Sequence, residues 1–234
     1  WKHKKPILGA NHMEGHIASN LLKNSAIPFP ALCQVVSGGH TELVLMKGVG
    51  KYKIVGQTLD DAGGEAFDKI ARILGLGYPG GPAIAKESEK TSSHKMQTKL
   101  PRPMINSKNF DFSFSGLKTA VLYLVRDLTK TYPLSKIKTA IAAEAQQAIV
   151  DVLVIKTIRA AEKYKVKSVM LSGGVSANKL LRSELKKMAQ EKELEFYRPK
   201  MEYTTDNAAM IALAGYWNYK NSKKKTANWQ SIEV

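Results

Sequence analysis

The sequence predicts an α/β layered domain built on a mixed β-sheet. Three observations predict it. Short apolar runs at 31–36, 42–46 and 52–58 lie close together and are joined by glycine-containing links, so they pair as an antiparallel meander. Amphipathic stretches of helical period follow them. Two further strand-like runs, 168–171 and 194–197, alternate with helical segments, the order that adds parallel strands to a sheet.

Each element has its own justification. Segment 9–23 carries His12, His16, Ile17, Leu21 and Leu22 at helical spacing. Ala31–Val36 is bounded by Pro30 and Ser37-Gly38-Gly39 and reads as a buried strand. After Asp60-Asp61-Ala62-Gly63-Gly64 a helical pattern runs to Leu74, with Asp61 as the expected N-cap. Tyr78-Pro79-Gly80-Gly81-Pro82 reads as a turn, and 88–112 as a long polar loop. Leu117, Ala120, Val121, Leu124, Val125 and Leu128 form one apolar stripe, with Ser115 able to cap that helix. Ile141, Ala145, Ala148, Val152 and Ile155 mark a second helix ending near Tyr164. A glycine turn, Ser172 to Asn178, leads into a helix ending near Glu191, and Thr205–Tyr219 is the last helix.

Composition excludes several classes. Of 234 residues, 44% are hydrophobic and 24% charged, a globular balance that rules out wholesale disorder and fibrous repeats. No run of 18 apolar residues occurs, so no transmembrane helix and no membrane partner are predicted. Cys33 is the one cysteine, which excludes an intrachain disulfide and fits a reducing, cytoplasmic compartment. Trp1 opens the sequence without a signal-peptide pattern, and the chain reads as part of a longer one. Net charge is +16, which favours polyanionic partners, above all nucleic acid. Yet 30 of the 36 basic residues are lysine, and the dense group Lys220, Lys223, Lys224 and Lys225 reads equally as a solvated tail.

Few residues carry chemistry. On a helix His12 and His16 lie about 40° apart, on one face, where two imidazoles can share one metal ion. The order is His12-Met13-Glu14-Gly15-His16, not His-Glu-x-x-His. Glu14 therefore points away from the pair, which disfavours a metallopeptidase. Ser37-Gly38-Gly39-His40-Thr41 can bring backbone N–H groups close to an anion, though Gly-Gly also suffices for a plain hairpin turn. Ser172 to Asn178 sits between strand and helix, where nucleotides lie in α/β sheets, but it is neither G-x-G-x-x-G nor a P-loop. Asp68 could bind ribose hydroxyls or be a surface carboxylate. Asp206 is most simply a helix N-cap.

Seven stretches together are specific: Asn11-His12-Met13-Glu14-Gly15-His16, Ser37-Gly38-Gly39-His40-Thr41, Gly64-Glu65-Ala66-Phe67-Asp68-Lys69, Tyr78-Pro79-Gly80-Gly81-Pro82, Phe112-Ser113-Phe114-Ser115-Gly116-Leu117-Lys118, Gly173-Gly174-Val175-Ser176-Ala177-Asn178 and Thr205-Asp206-Asn207-Ala208-Ala209-Met210. In this order they resemble the tRNA threonylcarbamoyladenosine transferase family (TsaD-type), formerly labelled O-sialoglycoprotein endopeptidases. The resemblance implies an actin-like ATPase fold of two ribonuclease-H-like lobes, here with the second lobe complete and the first partial. Residues 1–25 would be a remnant of the first lobe bearing the metal-binding helix, 26–202 the second lobe, and 203–234 a helix returning to the first.

The resemblance also implies an acyltransferase. It would move a threonylcarbamoyl group from threonylcarbamoyl-AMP to the exocyclic amine of the adenosine beside the tRNA anticodon, releasing AMP. His12, His16 and Asp206 would hold one divalent ion, Fe(2+) or Zn(2+). Val35, Val36, Ser37, Gly38, Gly39, Asp68, Gly81 and Asn178 would contact the adenylate. A paralogous partner subunit and a small ATPase would complete a bacterial modification complex. The alternatives are an actin-like protein that binds or hydrolyses ATP, and a non-catalytic partner subunit.

Overall fold

Strands β1 (Ala31–Val36), β2 (Thr41–Gly48), β3 (Lys51–Gln57), β4 (Ser168–Ser172) and β5 (Glu195–Tyr197) form one sheet in the order β3-β2-β1-β4-β5. The first three are antiparallel neighbours, while β1–β4 and β4–β5 are parallel. The mixed sheet expected from the sequence is therefore present. The computed structural model describes residues 8–24, 26–90 and 99–221. Lys223, Lys224 and Lys225 of the lysine cluster lie outside these residues, as does 91–98 of the expected long loop.

Strand alternation divides the core in two. Leu32 and Val36 of β1 and Leu43 and Leu45 of β2 face a layer made of α2 (Gly63–Ile73), α3 (Gly80–Ser88), α4 (Ser115–Leu128), α5 (Leu134–Lys163) and α6 (Lys179–Glu191). Ala31, Cys33 and Val35, with Val44 and Met46, face Ile17 of α1 (His12–Ala18) on the opposite side. Both faces are covered, which is why β1 is apolar on both faces except at Gln34, whose buried amide donates to the Leu153 carbonyl at 3.1 Å. All six of its residues are buried. Helix α7 (Ala208–Asn221) stacks on α1, and Gly15 makes the contact close: a β-carbon there would stand 2.9 Å from Ile211.

Several local expectations change. The first helix has seven residues rather than spanning 9–23, because Ser19 Oγ takes the His16 carbonyl at 2.6 Å, an alternative to continuing the backbone ladder. Asp61 does not cap α2, whose N-cap is Ala62; its carboxylate pairs instead with Lys69 at 2.7 Å. Ser115 does not cap α4 with its own side chain. Asp60 does so from the β3–α2 link, accepting the Phe114 N–H at 2.8 Å and the Ser115 N–H at 3.3 Å. The Tyr78–Pro82 turn gives way to helix at Gly80. Pro82 is harmless there, since first-turn N–H groups have no intrahelical acceptor. The last helix begins at Ala208, not Thr205.

Candidate metal centre and glycine cradle

Helix α1 starts where Asn11 Oδ1 accepts the N–H groups of Met13 and Glu14, at 2.9 and 3.2 Å. That start sets His12 and His16 on one face, their ring centroids 4.8 Å apart. Across from them, Asn207 Oδ1 accepts the Met210 N–H at 2.9 Å and closes the first turn of α7. Asp206 is therefore not the cap, and its carboxylate points to the imidazoles. Its Oδ1 lies 2.9 Å from His12 Nε2 and 3.2 Å from His16 Nε2.

The charges respond to this crowding. Burial, and then the neighbouring His12, lower the pKa of His16, so its neutral form is favoured. The hydrogen bond from His12 lowers that of Asp206. One ligand atom from each of the three residues falls within a 4.8 Å cluster. Two neutral imidazoles and a carboxylate fit Fe(2+) or Zn(2+) as a donor set. Glu14 is not part of the cluster: its carboxylate accepts from Asn218 of α7 at 2.9 Å. Glu14 is therefore not the base that a metallopeptidase would need at this cluster.

A cradle of turns lies beside the triad. Two close approaches gather at the carboxyl end of β1, where its two neighbours run in opposite directions. A β-carbon on Gly64 would stand 2.4 Å from the Ser37 carbonyl oxygen, and one on Gly173 would stand 2.3 Å from that of Val36. Gly173 also has φ +84°, a backbone region that side chains rarely adopt. The Gly64 N–H donates to the Ser37 carbonyl at 3.1 Å, and the Gly63 N–H to Thr41 Oγ1 at 2.8 Å. The two Gly-Gly turns read separately in the sequence thus meet at one strand end, the place where α/β sheets bind ligands.

The structure sorts the expected adenylate contacts. Val35 and Val36 are fully buried, with side chains in opposite cores, so only their backbone can face a ligand. Ser37 N–H is already spent on the His40 carbonyl at 2.9 Å, and Ser37 Oγ accepts the His40 N–H at 3.2 Å. Gly38 and Gly39 of that turn are exposed, and nothing lies within 4 Å of where a β-carbon would sit on either. Asp68 Oδ1 accepts the Gly80 N–H at 2.7 Å and anchors the start of α3, next to Gly81. Asn178 caps α6 through the Leu181 N–H at 3.0 Å and donates to Gln146 at 2.9 Å. The structure adds one residue that the sequence does not single out. His40, in the Ser37–Thr41 turn, lies 6.5 Å from His12 between ring centroids and joins cradle to triad. Its only signal in the sequence was its place in the glycine turn.

A family model described as TsaD: tRNA N6-adenosine threonylcarbamoyltransferase matches residues 1–213. The chain belongs to the TsaD family. A relative of that name from Syntrophomonas wolfei is 47% identical over 218 residues, covering 93% of this chain and 63% of the relative. Another from Thermosipho africanus is 45% identical over 228 residues, covering 97% and 68%. This TsaD-family chain thus spans roughly two thirds of the length of these curated relatives. Among solved structures, HypF of T. kodakarensis superposes with a TM-score of 0.66 at 15% identity, over 91% of this chain and 37% of that one. Component A of the (R)-2-hydroxyglutaryl-CoA dehydratase of Acidaminococcus fermentans gives 0.53 at 15%, over 89% and 69%. These likenesses show the fold, an actin-like ATPase-type α/β architecture.

Proposed function

We propose that the protein containing this chain transfers a threonylcarbamoyl group from threonylcarbamoyl-AMP to the exocyclic amine of the adenosine adjacent to the tRNA anticodon, releasing AMP. The observation that carries this reading is the adjacency of the His12–His16–Asp206 cluster to the glycine cradle, bridged by His40. A cation-binding set beside an anion-accepting turn suits a donor that is a carbamoyl–phosphate mixed anhydride. Family membership supports the acyl transfer and the tRNA substrate.

The donor is already activated, so positioning does most of the work. Gly38 and Gly39 offer N–H groups to the phosphate, whose negative charge grows as AMP leaves. Asp68 keeps one carboxylate oxygen for Gly80, and its other oxygen is available to ribose hydroxyls. The amine nitrogen bonds to the carbamoyl carbon, the bond from that carbon to the phosphate oxygen breaks, and the amine gives up one proton. His12, His16 and Asp206 would hold Fe(2+) or Zn(2+), which supplies positive charge toward the donor's oxygens when bound.

The same reading extends to partners and place. Exposed Ile211, Tyr216 and Tyr219 on α7 support coverage by further protein, including the paralogous subunit and small ATPase of a bacterial complex. The formal charge of +16 supports tRNA binding. A tRNA substrate and a lone buried thiol support a cytoplasmic location. Among the described residues no helix is long and apolar enough to cross a membrane.

The test is transfer of labelled threonyl carbon from threonylcarbamoyl-AMP to tRNA by the full-length protein with its partners. His12→Ala and Asp206→Ala should each abolish it. Undiminished transfer in both variants would remove the cluster from the reaction. Release of ADP from ATP without tRNA labelling would favour an ATP-hydrolysing protein instead.

A further inference from the structure

Two buried polar atoms near the metal centre have no partner among the described residues: His16 Nδ1 and Asn20 Oδ1. His16 is 2% exposed and Asn20 0%. His16 lies in α1 and Asn20 two residues past its end, where the Asn20 N–H bonds the Ile17 carbonyl at 3.2 Å in a tighter turn that carries the coil on to that point. Side chains at i and i+4 share a face. Leaving a buried polar atom unpaired costs about 1–3 kcal/mol, so two on one face need an account.

Their polarities are complementary. The Asn20 amide nitrogen donates to the Leu171 carbonyl at 3.2 Å and to Ser172 Oγ at 2.6 Å. A carbonyl can only accept, so the amide orientation is fixed and the free atom is the acceptor oxygen. A neutral imidazole that offers Nε2 to a cation carries its proton on Nδ1. The free atom of His16 is then a donor. A donor and an acceptor, both buried and both unpaired, form a polar site of the kind that holds an internal water.

We propose that one buried water accepts from His16 Nδ1–H and donates to Asn20 Oδ1, making Asn20 a positioning residue for the metal ligand His16. This rests on the metal reading given above. The bridge fixes the ring and its tautomer, as outer acceptors do for metal-bound histidines. It also reaches further. Asn20 is bonded to Ser172, the residue before Gly173, whose turn packs on Val36. The cation site and the glycine cradle therefore share one buried polar link. Ser172 Oγ also lies 3.5 Å from Cys33 Sγ; burial pushes that thiol up to about 12, so it brings no charge into the link.

The test measures Zn(2+) affinity of the full-length protein by chelator competition, apart from activity. Asn20→Leu should weaken Zn(2+) about 10–100-fold, the usual effect of losing an outer-shell partner. Asn20→Asp keeps an acceptor and should hold Zn(2+) at least as well as the parent. Ser172→Ala removes one of the two bonds from the Asn20 amide to β4, leaves the Leu171 carbonyl in place and does not touch the acceptor oxygen, so its affinity should be unchanged. Unaltered affinity in Asn20→Leu, or equal loss in Asn20→Leu and Asn20→Asp, overturns the proposal. Should Asn20→Leu not fold, a high-resolution crystal structure of the parent decides: electron density for a water between the two atoms supports the bridge, and an empty gap overturns it. A parent that binds no Zn(2+), or binds it as well after His12→Ala, overturns the metal reading instead.

Discussion

Asn207 caps α7, and its neighbour Asp206 thereby keeps its carboxylate for His12, 2.9 Å away. Two adjacent residues divide two tasks that one could have performed alone. Asn207→Ala should cost about 1 kcal/mol of stability, the usual effect of losing a side-chain cap. It should also weaken Zn(2+) binding, because Asp206 would move to the vacant cap. Isothermal titration alongside thermal unfolding checks both; a stability loss with unchanged Zn(2+) affinity would show that Asp206 is held by something else.

Gly64→Ala should be among the most disruptive single changes. The added carbon would meet the Ser37 carbonyl oxygen at 2.4 Å, which is backbone and has no freedom to rotate away. The α2 terminus would have to leave the cradle, breaking the Gly64–Ser37 bond. Nucleotide affinity, read by titration with AMP, should fall sharply. The control is Gly81→Ala, whose added carbon meets nothing within 4 Å and which should remain folded.

Asp60 joins the β3–α2 link to α4, accepting from Ser113 Oγ at 2.6 Å and Ser115 Oγ at 2.7 Å besides two backbone N–H groups. Burial alone would raise its pKa, but these hydrogen bonds outweigh it and lower the value below 3.8. A carboxylate with a lowered folded-state pKa contributes stability that is present above its unfolded value. That contribution is lost as pH falls through the folded value. Asp60→Asn should therefore be less stable than the parent at pH 7, and the difference should shrink below about pH 4. Urea unfolding across that range is the measurement; a difference that does not shrink would deny Asp60 this role.

Lys156 is fully buried under the 104–109 segment, donating to the Met104 carbonyl and Ser107 Oγ at 2.7 Å each and to the Asn109 carbonyl at 3.3 Å. Burial lowers its pKa to about 8 from 10.5. Between these values the unfolded chain holds the proton more tightly, so this group makes the fold more stable as pH rises. Lys156→Met should destabilise at pH 7 through the lost hydrogen bonds, and its cost should grow from pH 8 toward 10. A cost independent of pH would mean that the ammonium keeps its proton throughout.

Much of this architecture was legible in advance. The apolar run of β1 was bounded on both sides by turn residues, and its predicted limits match the strand. The meander followed from short glycine links, and the switch to parallel pairing from intervening helices. The caps were less legible, because capping in this fold is done at long range. Asp60 reaches 54 residues along the chain to α4, and Asp68 reaches 12 to α3. No local pattern encodes those distances. The His12–His16 pair was visible through helical spacing, but its partner carboxylate lay 194 residues from His12 and looked like a cap. The role of Asn20 was invisible, since an asparagine after a helix is ordinary until its unpaired oxygen is seen.

The triad draws its ligands from opposite ends of the described chain, and α1 meets α7 at Gly15, where an added β-carbon would stand 2.9 Å from the Ile211 Cδ1. An ion seated there would tie a loop of nearly two hundred residues shut. Cross-links of that span remove a large share of the freedom of the unfolded polypeptide. Occupancy should therefore raise the melting temperature well beyond what three ligand bonds alone suggest, and removing the ion should loosen α1 and α7 together.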